Sequence, residues 1–369
     1  MTAVPLSADI TAEERAEWGE LIEYERYWRD RQPWLQEHGY MLRPRYRPGW
    51  EPPGVIAFRE DTHWSLVPTI LDAKRMKDGL FVTLKKIETD VHPFEVEIGH
   101  FLSSEQVTSN PRNHCVRILD TLQDPIEPNV VIIVMPYLRK FYKPPFLTFG
   151  EAISCFRQLI QGLRVMHENH VAHRSDISVA NIMMDAAAMF PAMWHPSAQN
   201  MKYDYSGTAK YFNRTERPPK YYYIDFGLSR KYDPKDGPPQ ELPIIGGDKS
   251  VPEFQGEGYD RPADPFRTDI YYLGNIMRTQ FVGVYRGFEF MQHLVADMVQ
   301  DDPAKRPPIE EVETRFEESV STLSHWKLRS RLVGKREDLL LRGIYGIGHI
   351  VRTAKYLIKR LPPVPSPSS

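Results

Sequence analysis

Four polar residues stand in an order that suits one chemistry. Asp225 lies in Ile224-Asp225-Phe226-Gly227, 44 residues after Asn181. Asn181 closes the run His173-Arg174-Ser175-Asp176-Ile177-Ser178-Val179-Ala180-Asn181, five positions after Asp176. Further upstream, Lys85 ends Val82-Thr83-Leu84-Lys85. An Asp-Phe-Gly tripeptide alone is common by chance. Behind a strand lysine, and behind an Asp with an Asn five residues on, it takes the order that phosphoryl transfer from a nucleotide requires. Lys85 sits in an otherwise apolar strand, and a lysine on a buried side needs a charge partner. The plainer alternative is an exposed lysine beside Lys86.

These residues need a frame to position them. Short strand-like runs cover Gly54 to Arg59, Thr69 to Lys74, Leu80 to Ile87, Cys115 to Leu122 and Val130 to Tyr137, with Asp78-Gly79 as a hairpin turn. Phe94 to Leu102 has a helical pattern. From Phe149 the period becomes helical, with Ile153, Phe156, Ile160, Leu163 and Met166 on one face up to Asn169. Further helices are expected at Pro265 to Phe281, Phe288 to Gln300 and Ile309 to Thr322. Ahead of the strands, Thr11 to Arg31 reads as a helix capped by Thr11 with Glu14 as its capping-box partner, and Pro33 ends or kinks it. Arg43 to Pro53, rich in Pro and Arg, reads as a linker.

Composition sets outer limits. A chain of 369 residues can bury a large core in two lobes, and 41% hydrophobic with 26% charged residues is ordinary for a globular protein. A net charge of −2 gives no overall pull toward nucleic acid or membrane. The 32 prolines predict stiff loops, and two cysteines, Cys115 and Cys155, give no disulfide framework or metal spacing. With a polar, acidic start and no long apolar run, an intracellular protein, cytoplasmic or nuclear, is expected.

On these motifs the chain resembles the eukaryotic protein kinase family over roughly residues 55 to 320, and it is similar to the divergent kinase-like proteins numerous in mushroom-forming fungi. The resemblance implies an α+β, bilobal protein kinase-like fold with a small β-rich N-lobe, a larger α-helical C-lobe, and helical extensions at both ends. It implies four regions: an N-terminal helical extension and linker at 1–50, the N-lobe at 51–138, the C-lobe at 139–325 with an insertion near 186–220, and a tail with a basic amphipathic helix at 326–369. It implies ATP and Mg²⁺ as cofactors and a protein hydroxyl, Ser/Thr or Tyr, as acceptor. Asp176 matches the residue that orients the hydroxyl, Asn181 and Asp225 the metal ligands, and Lys85 the residue on the α- and β-phosphates. Glu95, seven residues before Leu102, matches the partner of that lysine, with Glu97 its rival. Met135, Pro136 and Leu138 match the adenine-binding hinge. Val251-Pro252-Glu253 would close the activation segment, with Arg306 as the ion-pair partner of Glu253. Asp269 matches a helix Asp that braces the catalytic loop.

The chain also departs from the family pattern. Ser175 separates His173-Arg174 from Asp176, and Ser178 replaces a lysine that contacts the γ-phosphate. The glycine positions of the phosphate-covering loop fall near His63, Ser65 and Pro68, and no Gly occurs between Gly54 and Gly79. A backbone without those glycines cannot approach phosphate in the same way. The resemblance therefore implies an active protein kinase, or a pseudokinase acting as a scaffold. A small-molecule kinase fits less well, because Pro252-Glu253, Asp269 and Arg306 mark a protein-kinase activation segment.

Two further stretches remain. The insertion holds Trp194, His195, Tyr203, Tyr205, Tyr211 and Phe212 among Lys202, Lys210, Arg214 and Arg217, which suits a packed flap better than a nucleic-acid surface. In the tail, Ile347, Ile350, Val351, Ala354, Leu357, Ile358 and Leu361 form one apolar helical face, and no acidic residue follows Asp338. That face is expected to dock on the C-lobe, with an acidic membrane or a partner as the alternative.

Overall fold

The computed structural model describes residues 21–50, 65, 67–174, 177–244, 250–256 and 261–367. The fold is α+β: a five-stranded antiparallel sheet, then a largely helical region. The chain divides into two compact units. One comprises Met1–Ile87, Leu119–Tyr137 and Phe190–Tyr211, and the other Glu88–Ile118, Leu138–Met189 and Phe212–Ser369.

The sheet of the first unit runs in the order β1 (Tyr40–Met41), β2 (Ile70–Arg75), β3 (Phe81–Glu88), β5 (Val130–Pro136), β4 (Asp120–Gln123). Asp78 turns β2 into β3 by accepting the Leu80 N–H at 3.1 Å, and Gly79 supplies the φ of 70° that the turn needs. Leu71 and Ala73 face Leu84 and Val82 in register. All four are buried against Trp28 and Leu35 of helix α1 (Glu23–Glu37).

Several expectations change here. The start of the predicted first helix, with Thr11 and Glu14, lies outside the described residues. Its end is not at Pro33: α1 continues to Glu37 with Pro33 inside it. Buried Trp28 and Leu35 on either side outweigh one lost helical hydrogen bond. The run Gly54 to Arg59 also lies outside the described residues, and Tyr40–Met41 supplies the fifth strand, opposite Arg75 and Lys74. Of the Cys115 to Leu122 run only the last three residues are strand, in β4 (Asp120–Gln123), while Cys115 makes an isolated parallel bridge to Tyr223.

The expected linker is part of the core. Arg43 and Arg45 are buried, Arg43 Nε 3.1 Å from Asp72 Oδ1 and Arg45 Nε 2.7 Å from Glu25 Oε1. Such charges are tolerated inside because each has a carboxylate partner. Part of the insertion covers the same unit. Trp194 and His195 are fully buried, Trp194 stacks on Tyr137 at 5.4 Å, and Tyr203 lies 4.6 Å from the Phe81 ring.

In the second unit, helices α2 (Glu95–Ser103) and α3 (Glu105–Thr108) come first. Short strands β6 (Arg139–Lys140), β8 (Ile182–Asp185) and β9 (Lys220–Tyr223) form one sheet, and β7 (Val171–Ala172) pairs with β10 (Arg230–Lys231). The central helix is α4 (Phe149–Glu168), capped by Thr148, whose hydroxyl accepts the Glu151 N–H at 3.2 Å. Its Phe156 meets Phe281 edge-on at 4.5 Å, with Phe316 beyond at 6.4 Å. Helices α5 (Pro265–Met277), α6 (Gln292–Met298), α7 (Ile309–Ser321), α8 (His325–Arg329) and α9 (Leu339–Ile358) complete the unit. Cys115 and Cys155 are buried free thiols, and burial pushes both well above the ordinary thiol value.

Helix α9 overturns the expected docking. Of its residues only Tyr356 is buried, and the apolar stripe points away from the protein. The polar side does the holding: Lys355 Nζ lies 2.6 Å from Glu216 Oε1. Ahead of α9, Arg331 pairs with Glu337 and Lys335 N–H donates to the Val284 carbonyl at 2.8 Å. Beyond it, Arg329 Nη2 donates to the Leu361 carbonyl at 2.6 Å. The carbonyl of Pro363 comes so near Gly150 that a Cβ there would lie 1.8 Å from it. No helix among the described residues is long and apolar enough to cross a membrane.

Candidate functional site

The antiparallel register of β8 and β9 builds the site. Ile182 faces Tyr223, and the Ile224 N–H donates to the Asn181 carbonyl at 3.0 Å. The residue before β8 and those after β9 therefore leave the pair at the same end. Asn181 stands beside Ile224 there, next to Asp225. Asp225 has φ 66°, in the left-handed region that non-glycine residues seldom adopt. Such a conformation costs roughly 1–3 kcal/mol and survives only where the surroundings impose it.

Gly227 follows at a crowded point. A Cβ on it would lie 3.0 Å from His92 Nδ1, 3.1 Å from Glu95 Oε2 and 3.4 Å from Asp225 Oδ1. A side chain there would press on the ends of three others, each of which would have to give by a few tenths of an ångström. Glu95 opens α2 and is only 2% exposed, whereas Glu97, two residues on, points to solvent. Thus Glu95 and Asp225 converge on one backbone position.

Between them, Phe226 is buried and lies 5.6 Å from the His173 ring. His173 Nδ1 is 3.3 Å from Ser229 Oγ, and burial lowers its pKa, which keeps the ring neutral. Asp269 on α5 is fully buried and accepts the backbone N–H groups of His173 and Arg174 at 2.7 and 2.9 Å. This holds the chain just ahead of Asp176, which itself lies outside the described residues, as does Ser175.

The following segment is tied down at both ends. Arg174, at φ 54°, places Nη2 3.0 Å from Glu241 Oε2, and Tyr232 donates to the other Glu241 oxygen at 2.9 Å. Near its end Glu253 takes a bidentate bond from buried Arg306, at 2.7 and 2.6 Å.

In the second unit, then, Glu95, Asn181 and Asp225 are placed by α2 and one strand-pair end, and Leu138 is half-buried just before β6. In the first unit, Lys85 is half-buried on β3 opposite Ile70, and Met135 and Pro136 end the neighbouring strand β5. Of the expected phosphate-covering loop, His63 and Trp64 lie outside the described residues. The Ser65 N–H is bound by the Tyr46 hydroxyl at 3.1 Å.

Among the described residues no group of three or more His, Cys, Asp and Glu side chains could hold an ion. An Asp and an Asn at one strand end are hard donors that suit Mg²⁺, which takes one or two carboxylates and fills its other positions with phosphate or water. The reading from sequence did not single out His92 or Glu241, and it took Ser229 only as a hydroxyl of the activation segment, not as a neighbour of His173. None belongs to a motif, and each is brought in by folding. Compared with known proteins, the chain matches no protein-family model and no curated protein.

Proposed function

We propose that the chain adopts a bilobal protein kinase-like fold and transfers the γ-phosphate of MgATP to a protein hydroxyl, of Ser/Thr or Tyr, inside the cell. The observation that carries this is the end of the β8–β9 pair, where Asn181 and left-handed Asp225 stand together and Glu95 is buried against Gly227. An Asp in a costly backbone conformation, with a carboxylate and an imidazole close to its neighbour, supports this reading. The bracing of His173 and Arg174 by Asp269 supports the same reading, because it fixes the backbone that leads into Asp176.

Bound MgATP supplies the phosphoryl group, and its metal offsets charge on the phosphate oxygens. Asp225 and Asn181 would hold that metal through their side-chain oxygens. Lys85 is assigned to the α- and β-phosphates, and Met135, Pro136 and Leu138 to the adenine edge, from their places in the sequence. Asp176 accepts the hydrogen bond of the acceptor hydroxyl and orients it. Ser178 in place of a lysine leaves less positive charge for the transition state, so slow turnover is expected.

A second reading, a pseudokinase scaffold, is favoured by one observation: the Ser65 N–H is engaged by Tyr46. The two readings are separated by a thermal-shift titration with MgATP and a phosphate-transfer assay on a generic protein acceptor. Stabilisation and turnover are expected, and Asp225→Asn should cut turnover by about a hundredfold or more while the protein stays folded. No stabilisation at millimolar nucleotide and no turnover would leave the scaffold.

A further inference from the structure

Helix α9 presents its hydrophobic side to the outside and its polar side to the protein. Leu340, Ile344, Ile347, Val351 and Ile358 fall on one stripe and are 74, 56, 68, 66 and 83% exposed. On the opposite side Tyr356 is buried and His349, Arg352 and Thr353 are half-buried. The apolar stripe continues toward Trp326, 69% exposed, across a groove also lined by Ile350, Ala354 and Leu357. A contiguous apolar strip of this length marks a surface that is covered in use.

The charges say by what. From Leu339 to Arg360 the chain carries Arg342, Arg352, Lys355, Lys359 and Arg360 and no acidic residue; just before it Lys335 and Arg336 stand exposed beside Asp338, while Glu337 is taken up by Arg331. A second copy seated face to face would bring two basic flanks together with no carboxylate on the helix to meet them. A phospholipid surface with anionic headgroups answers both features at once. Its acyl boundary takes the apolar stripe, and its headgroups take the exposed Lys335, Arg336, Arg342 and Arg360, while Lys355 and Lys359 share one carboxylate, Glu216. Trp326, an amphipathic ring at the edge of the strip, suits the headgroup level. A helix of this kind lies in the interface plane, and α9 is not apolar enough to cross.

We infer that α9, with Trp326 beside it, docks this protein onto an anionic membrane surface, independently of any phosphotransfer activity.

The test is co-sedimentation of the full chain with vesicles of phosphatidylcholine and phosphatidylserine in equal parts, against phosphatidylcholine alone. Binding to the mixed vesicles, weakened by salt and at least about tenfold stronger than to neutral ones, is expected. The variant Ile347→Glu with Val351→Glu should lose that binding by about tenfold or more. Both side chains are exposed, so its melting temperature should match the parent. Light scattering on the same samples covers the other occupant. A concentration-dependent dimer abolished by the same variant would overturn the inference. So would absence of vesicle binding, equal binding to neutral vesicles, or binding that the variant leaves intact.

Discussion

Helices α4 and α9 are both 20 residues long, both carry an apolar stripe, and both belong to the same unit, yet their fates are opposite. Phe149, Ile153, Phe156, Ile160, Leu163 and Met166 of α4 are buried, with α7 and β9 against it. Of α9, Tyr356 alone is buried. Amphipathicity in a sequence thus says that a face will be covered. It does not say by what, nor whether the cover lies within the same chain.

Four substitutions would break or sharpen this contrast. The largest effect belongs to α4. Phe156→Ala removes a ring held edge-on by Phe281 and should cost about 3–5 kcal/mol in urea unfolding. A cost below about 1 kcal/mol would mean that α4 is not the core it looks to be.

A polar version follows. Asp269→Asn weakens a buried carboxylate that accepts two backbone N–H groups and should cost about 2 kcal/mol. Glu216→Gln, which releases the half-exposed Lys355 of α9, should cost no more than about 1 kcal/mol. The same Glu216 gives a pH signature. Burial raises its pKa, but the Lys355 ammonium outweighs this and holds the carboxyl below its ordinary 4.5. Its contribution is therefore present above that value and is lost as pH falls through the depressed one. Proteolysis around α9 should quicken on that descent in the parent and not in Glu216→Gln.

The smallest effect should come from the apolar stripe itself. Ile347→Ala removes an exposed side chain and should change stability by less than about 0.5 kcal/mol in the absence of vesicles. A cost near that of Phe156→Ala would mean that something in the chain already covers the stripe.

Much of the frame was legible because it is local. The Asp78-Gly79 turn and the period of α4 both sit within a few residues of what they determine. Long-range pairing was not. Arg43 and Arg45 read as a solvated linker, since nothing adjacent announces Asp72 or Glu25. Tyr40–Met41 is too short for alternation to reveal a strand. At the site, the family resemblance preferred Glu95 but left Glu97 as its rival, and the strand flanking Asp225 predicted β9. The neighbours that complete the site, His92 at Gly227 and Glu241 at Arg174, come from separate stretches that only folding joins. For α9 the period was readable and the direction was not, because a period defines a stripe but carries no information on which side meets the rest of the molecule.

The close seat of Pro363 on Gly150, the Arg329 bond to Leu361 and the bonds of residues 331–337 fix α9 at both of its ends. It is a beam, not a tether. Whatever lands on it meets the second unit at one angle, so occupancy of this helix would also choose which way that unit's remaining surface looks.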